Sequence, residues 1–162
     1  MNIYSYISKV NDAGCPYLMK KDTFKVDGRK LYRSPDTVAE FIRDSLGIQD
    51  CAEEYLYSLC MDTKGHLIGC FEVTHGTVNA SLISPREIFQ KALMLGAVSI
   101  ILTYNHPSGD PTPSDVDLYS TERVKQAGEM IGVRLIDHLI VTKNGWISMK
   151  EESLLREEEE EK

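Results

Sequence analysis

The chain has 162 residues, 42% of them hydrophobic, and a formal net charge of −7 at pH 7. That size supports one soluble domain with a real apolar core, and no uncharged hydrophobic run is long enough to span a membrane. Seven glutamates against Arg156 and Lys162 give the last twelve residues a charge of −5, which leaves −2 for the rest; a near-neutral body with no basic face argues against direct binding of DNA or RNA.

Met1 to Lys20 shows neither a basic stretch followed by an apolar one nor a small-residue cleavage site, so the expected compartment is the cytoplasm. Cys15, Cys51, Cys60 and Cys70 form no C-x-x-C pair, which in a reducing compartment predicts free thiols. Three regions are expected: residues 1–33 as a leader or edge hairpin with a short strand at Thr23 to Val26, residues 34–150 as the folded domain, and residues 151–162 as an acidic, solvated tail.

Ser34-Pro35-Asp36 opens a helix, with Val38, Phe41, Ile42 and Leu46 on one apolar face up to Gly47. Glu54 to Met61 and Leu67 to Val78, separated by the turn Asp62-Thr63-Lys64-Gly65, read as a β-hairpin in which Tyr55 and Tyr57 share a packed face. Ser84-Pro85-Arg86-Glu87 has the capping-box pattern, with Ile88, Leu93 and Met94 as the stripe of the helix that follows. Ala97 to Leu102 is a buried strand leading into Tyr104-Asn105-His106. Ser114 caps a long helix through about Ile131, with Val116, Tyr119, Val124 and Met130 available to a core. Val133 to Val141 is another apolar strand, closed by Thr142-Lys143-Asn144-Gly145 and a short strand at Trp146-Ile147-Ser148.

Chemistry concentrates between residues 104 and 117. Pro107, Pro111 and Pro113 restrict the loop, so its backbone has few conformations to lose on folding. Side chains at 104 and 106 leave an extended segment on the same side, and Asp117, in the first turn of the next helix, can meet His106. Imidazole and carboxylate suit a divalent ion such as Zn2+. A hydrolytic site also needs a general base from a neighbouring strand, and Glu54 is the candidate; Glu53 would face the opposite side, and Glu72 is a weaker rival. Ser114 can donate to an oxyanion, cap its helix, or do both. Of the other histidines, His66 reads as exposed, His138 as structural together with Asp137, and His75 as a minor candidate for a substitute ligand.

These residues resemble the MPN (JAB/JAMM) metalloprotease-like domain, in its RadC branch. The family pattern is His-x-His, seven residues, Ser, two residues, Asp, with an upstream Glu. His106, Ser114 and Asp117 keep that spacing, and the RadC elements Asn-His-Pro-Ser-Gly and Pro-Ser are present. Further similarity lies in Gly76-Thr77-Val78-Asn79, Pro85-Arg86-Glu87-Ile88 and Asp137-His138-Leu139-Ile140-Val141, so the resemblance covers roughly Ser34 to Ser148. The helix-hairpin-helix segment that precedes this domain in longer RadC proteins is not visible, as in a short form of the family.

The resemblance implies an α/β fold of the cytidine-deaminase-like kind, a mixed central sheet flanked by helices. It also implies a zinc-dependent hydrolase acting on a peptide or protein, of the peptidase or isopeptidase type. His106 and Asp117 would be metal ligands, Glu54 the base and Ser114 the oxyanion partner. The departure is Tyr104, which stands where the family has its first His ligand. Three outcomes are physically open: coordination by the phenolate, completion of a weaker site by water or another side chain, or loss of the metal in a catalytically inactive interaction module.

Overall fold

The structure, a computed structural model, describes residues 1–76 and 83–155. The end of the strand expected to reach Val78, the similarity at Thr77-Val78-Asn79 and the glutamates from Glu157 onward lie outside the described residues.

Among the described residues, seven strands form one mixed sheet: β1 (Asn2–Val10), β2 (Pro16–Lys25), β3 (Tyr55–Met61), β4 (Leu67–His75), β5 (Ser99–Asn105), β6 (Arg134–Thr142) and β7 (Gly145–Ser148), in the spatial order β2-β1-β4-β3-β5-β6-β7. β5 and β6 run parallel, joined by a helical crossover, whereas β3 is antiparallel to both β4 and β5. The N-terminal segment is the edge hairpin β1–β2, longer than the single short strand expected from Thr23 to Val26. Its outer strand carries Lys20, Lys21 and Lys25, charges that discourage further pairing at an open edge.

Helices cover both faces. α1 (Pro35–Phe41) starts at Ser34, whose side chain accepts from the Thr37 amide, and runs into a π turn, Ile42–Leu46, closed by Gly47 at φ 65°. Together with Ile48 it packs Val38, Phe41 and Ile42 against Leu59, Ile101 and Leu139. On the other face, α2 (Pro85–Met94) and α3 (Asp115–Ile131) cover Leu56, Leu102, Tyr104 and Ile140.

Three expectations about these helices need correction. Ser84 makes no side-chain cap bond at the start of α2. The face α2 buries is Ile88, Phe89 and Ala92, while Leu93 and Met94 are exposed. In α3 only Val124 of the four expected core residues is buried; Val116, Tyr119 and Met130 are 51%, 66% and 89% exposed. The buried face of α3 is made of Asp117, Ser120, Thr121, Val124 and Gly128, small or polar residues that let the helix lie close to the sheet. At Gly128 a Cβ would come within 2.4 Å of the Val133 carbonyl oxygen.

The four cysteines are free thiols. Among the described residues no helix is long and apolar enough to cross a membrane.

Candidate functional site

The antiparallel register of β3 and β5 ends with Leu56 opposite Tyr104. It therefore brings the residues just before β3 beside the end of β5, where the 106–114 loop and the first turn of α3 follow. A cleft of about 680 Å³ opens there, lined by Ala52, Glu53 and Glu54 before β3, Gly76 after β4, Tyr104 of β5, His106, Pro107 and Ser108 of the loop, and Ser114, Val116 and Asp117 at the start of α3. All five site residues expected from the sequence meet in this cleft.

Tyr104 lies within β5, so the strand extends past Leu102, and its ring is nearly buried, at 5% exposure. The ring stands edge-on to His106, with centroids 4.9 Å apart. Burial, then a hydrogen bond and charge repulsion from Glu54, then the charge of Asp117, all push the Tyr104 phenol up from its ordinary value. It is a neutral hydroxyl beside the Glu54 carboxylate.

His106 is fixed from two sides. Its backbone N–H donates to the Val141 carbonyl at 3.0 Å, and its Nδ1 donates to the Asp110 carbonyl at 2.8 Å. With Nδ1 carrying a proton, Nε2 is the atom presented to the cleft, 3.6 Å from Asp117 Oδ2. A turn in which Gly109, at φ 87°, donates to the His106 carbonyl brings Asp110 back toward the imidazole. The ion pair with Asp117 raises the His106 pKa, against the opposing effect of burial.

Asp117 closes a capping box with Ser114. Its Oδ2 accepts from Ser114 N at 2.8 Å and Ser114 Oγ at 2.6 Å, while its own N–H donates to Ser114 Oγ at 3.2 Å. Burial raises the Asp117 pKa, but the bonds to His106 and Ser114 outweigh it and hold the carboxyl down at about 2. Ser114 thus spends its single proton on the Asp117 carboxylate, while its oxygen caps the helix by accepting from the Asp117 N–H.

Glu54 sits one residue before β3 rather than within it. The two-residue alternation of a strand does not apply at that point, and Glu53 lines the same cleft as Glu54 instead of facing away. His75 is bonded through Nε2 to Glu53 and stacked on Tyr55, with ring centroids 4.1 Å apart, so its partners are these residues and not His106 or Asp117. Glu72 accepts from the Tyr57 hydroxyl at 3.5 Å and lies 3.8 Å from Lys21, and it is not among the cleft residues. His66 is half-buried and paired with Asp62.

Two residues of this region had no role assigned from the sequence. Asn105, 1% exposed, accepts from the Tyr55 N–H at 2.6 Å and donates to the Glu53 carbonyl at 2.9 Å, bracketing Glu54. Thr121 joins α3 to His138: its hydroxyl donates to the Asp117 carbonyl at 2.6 Å and accepts from His138 Nδ1 at 2.7 Å.

A catalytic zinc site takes three protein ligands and keeps one open position. His106 Nε2 and the Asp117 carboxylate are suitable donors. Tyr104 beside them is a phenol that burial and two carboxylates keep protonated, and among the described residues no three His, Cys, Asp or Glu side chains converge to make a metal group. The donor set does not fit a three-ligand zinc site.

Residues 32–154 match the RadC-like JAB domain family. A UPF0758 protein of Thermotoga maritima is 42% identical over 135 residues, 79% of this chain and 61% of the relative. A UPF0758 protein of Clostridium botulinum is 40% identical over 134 residues, 82% of this chain and 58% of the relative, and one of Clostridium perfringens is 45% identical over 121 residues, 75% and 52%. The chain thus spans between about half and three-fifths of the length of these relatives. Matched along three-quarters or more of its own length, the chain belongs to the RadC family of JAB-domain proteins.

Proposed function

We propose that this chain is a RadC-family interaction module that binds a peptide or protein segment in its cleft and holds no resident catalytic zinc. The observation that carries this reading is Tyr104, a nearly buried phenol in the same cleft as His106, Asp117 and Glu54. One substitution puts a neutral phenol where the family has a metal ligand, beside the carboxylate that would act as base. A neutral oxygen donor is a poor exchange for imidazole at a divalent ion, and ionising the phenol beside two carboxylates is opposed by their charge.

A second reading, a zinc-dependent peptidase or isopeptidase with Tyr104 as third ligand, is favoured by one specific observation. His106 Nε2, Asp117, Glu54 and Ser114 all line the same cleft. Zinc bound there would polarise a scissile carbonyl and acidify a water.

Zinc titration followed by calorimetry, on the native chain and on Tyr104→His, separates the two. The expected result is zinc binding at least about tenfold weaker in the native chain than in the variant, since even an outer-shell change typically costs that much. One zinc per native chain, held as tightly as in Tyr104→His, would overturn the proposal in favour of the hydrolase.

A further inference from the structure

Glu54 sits outside the regular ladder: β3 begins at Tyr55, and the last register pair with β5 is Leu56 opposite Tyr104. A segment at a strand end, facing an open cleft, is ordinarily free to fray. Here a side chain takes over from the ladder. Asn105 Oδ1 accepts from the Tyr55 N–H at 2.6 Å and its Nδ2 donates to the Glu53 carbonyl at 2.9 Å, contacts that reach back fifty and fifty-two residues. The carboxamide offers one acceptor and one donor, as a backbone peptide would, and is 1% exposed, so both bonds form away from competing water. The Gly76 N–H completes the arrangement by donating to the Glu54 carbonyl at 2.9 Å.

We propose that Asn105 is the positioning residue for Glu54, its carboxamide tying the end of β5 to the segment before β3 and setting where the Glu54 carboxylate stands relative to Tyr104 and His106. The alternation of β5 explains the placement. Residues 104 and 106 face the cleft, and the residue between them is aimed at the neighbouring backbone. Leucine or serine at 105 would fill space or make one bond, but neither supplies both functions at this reach. The clamp acts on backbone atoms, so it operates whether or not the cleft carries zinc and does not depend on the function proposed above.

The test is a double-mutant cycle, Tyr104→Phe with Glu54→Ala, read from urea unfolding of the full chain in the native and Asn105→Ala backgrounds. A contacting pair of this kind is expected to show a coupling of about tenfold in the unfolding equilibrium constant. Asn105→Ala should reduce that coupling to less than about twofold, because Glu54 no longer stands against the phenol. A purely structural asparagine would lower stability and leave the coupling intact, and that result would overturn the proposal. If Asn105→Ala does not fold, Asn105→Asp replaces it in the cycle: it keeps the acceptor for Tyr55 and loses the donor to Glu53, and undiminished coupling there is equally contrary. In the native protein the Tyr55 amide should exchange with solvent as slowly as amides inside β3, and rapid exchange would also overturn the assignment.

Discussion

One oxygen of Asp117 serves three partners: Oδ2 accepts from Ser114 N at 2.8 Å and Ser114 Oγ at 2.6 Å, and it lies 3.6 Å from His106 Nε2. The same carboxylate therefore starts α3 and holds the imidazole of the loop before it. Replacing Ser114 tests the first of these duties. Ser114→Ala removes the acceptor for the Asp117 N–H and one donor to its carboxylate, and should destabilise the chain by about 1 kcal/mol, the usual cost of losing an N-cap. Ser114→Thr should recover most of that loss in the same urea melts. Equal destabilisation by both variants would mean the hydroxyl is not the group that matters.

Asp117→Asn tests the second duty through pH. The Asp117 pKa is depressed from 3.8 to about 2, so its contribution is fully present above 3.8 and lost as pH falls through 2. His106 is shifted upward from 6.5, so its contribution is fully present below 6.5 and lost as pH rises through its folded value. The stability difference between native and Asp117→Asn chains should be largest from about pH 4 to 6.5, on the order of 2 kcal/mol from the Asp117 shift, and should shrink on either side. Urea melts across this range check it, and a difference independent of pH would refute the ion pair.

His138 works in the opposite direction. It is buried beneath α3, and desolvation lowers its pKa from 6.5 to about 4. A depressed histidine favours folding fully above 6.5 and opposes it as pH falls, because the unfolded chain takes up the proton first. Thr121 has one hydroxyl proton, given to the Asp117 carbonyl, so His138 Nδ1 must be the donor to Thr121 Oγ1, and Nε2 is left as an acceptor with no hydrogen-bond partner among the described residues. Nitrogen-15 spectra of the imidazole should show the neutral Nδ1–H form persisting to about pH 5. A neutral Nε2–H form, or titration near 6.5, would contradict this geometry.

How much of this was legible in the sequence depends on what each residue contacts. The run from Ile100 to Leu102 and the sequence His138 to Val141 announce buried strands because both faces of the sheet are covered. The loop from His106 to Asp117 is readable because proline and serine act locally, within a few residues. α3 was misread at Val116, Tyr119 and Met130 because close approach to the sheet selects small residues such as Ser120, Thr121 and Gly128, which carry no hydropathy signal. The edge hairpin β1–β2 was half hidden for a related reason: most of β2 is exposed, so lysines interrupt the alternation. Asn105 carries no role legible in the sequence, since its partners lie about fifty residues away.

Gly128 gives the sharpest test of how α3 packs. It lies in the last turn of α3, still inside the helix, where alanine would ordinarily gain up to about 1 kcal/mol over glycine. A Cβ there would stand 2.4 Å from the Val133 carbonyl oxygen and 3.0 Å from the Phe89 ring, and Gly128 also accepts the Val133 N–H at 2.9 Å. The ring can move aside, but the carbonyl belongs to the turn leading into β6 and can move only with the backbone that carries it. Gly128→Ala should therefore destabilise the protein despite its better helix propensity, by about 1–3 kcal/mol as for other overpacked sites. Thermal unfolding of the variant measures this directly, and a melting temperature at or above the native value would show that α3 does not approach β6 as closely as the Gly128–Val133 contact requires.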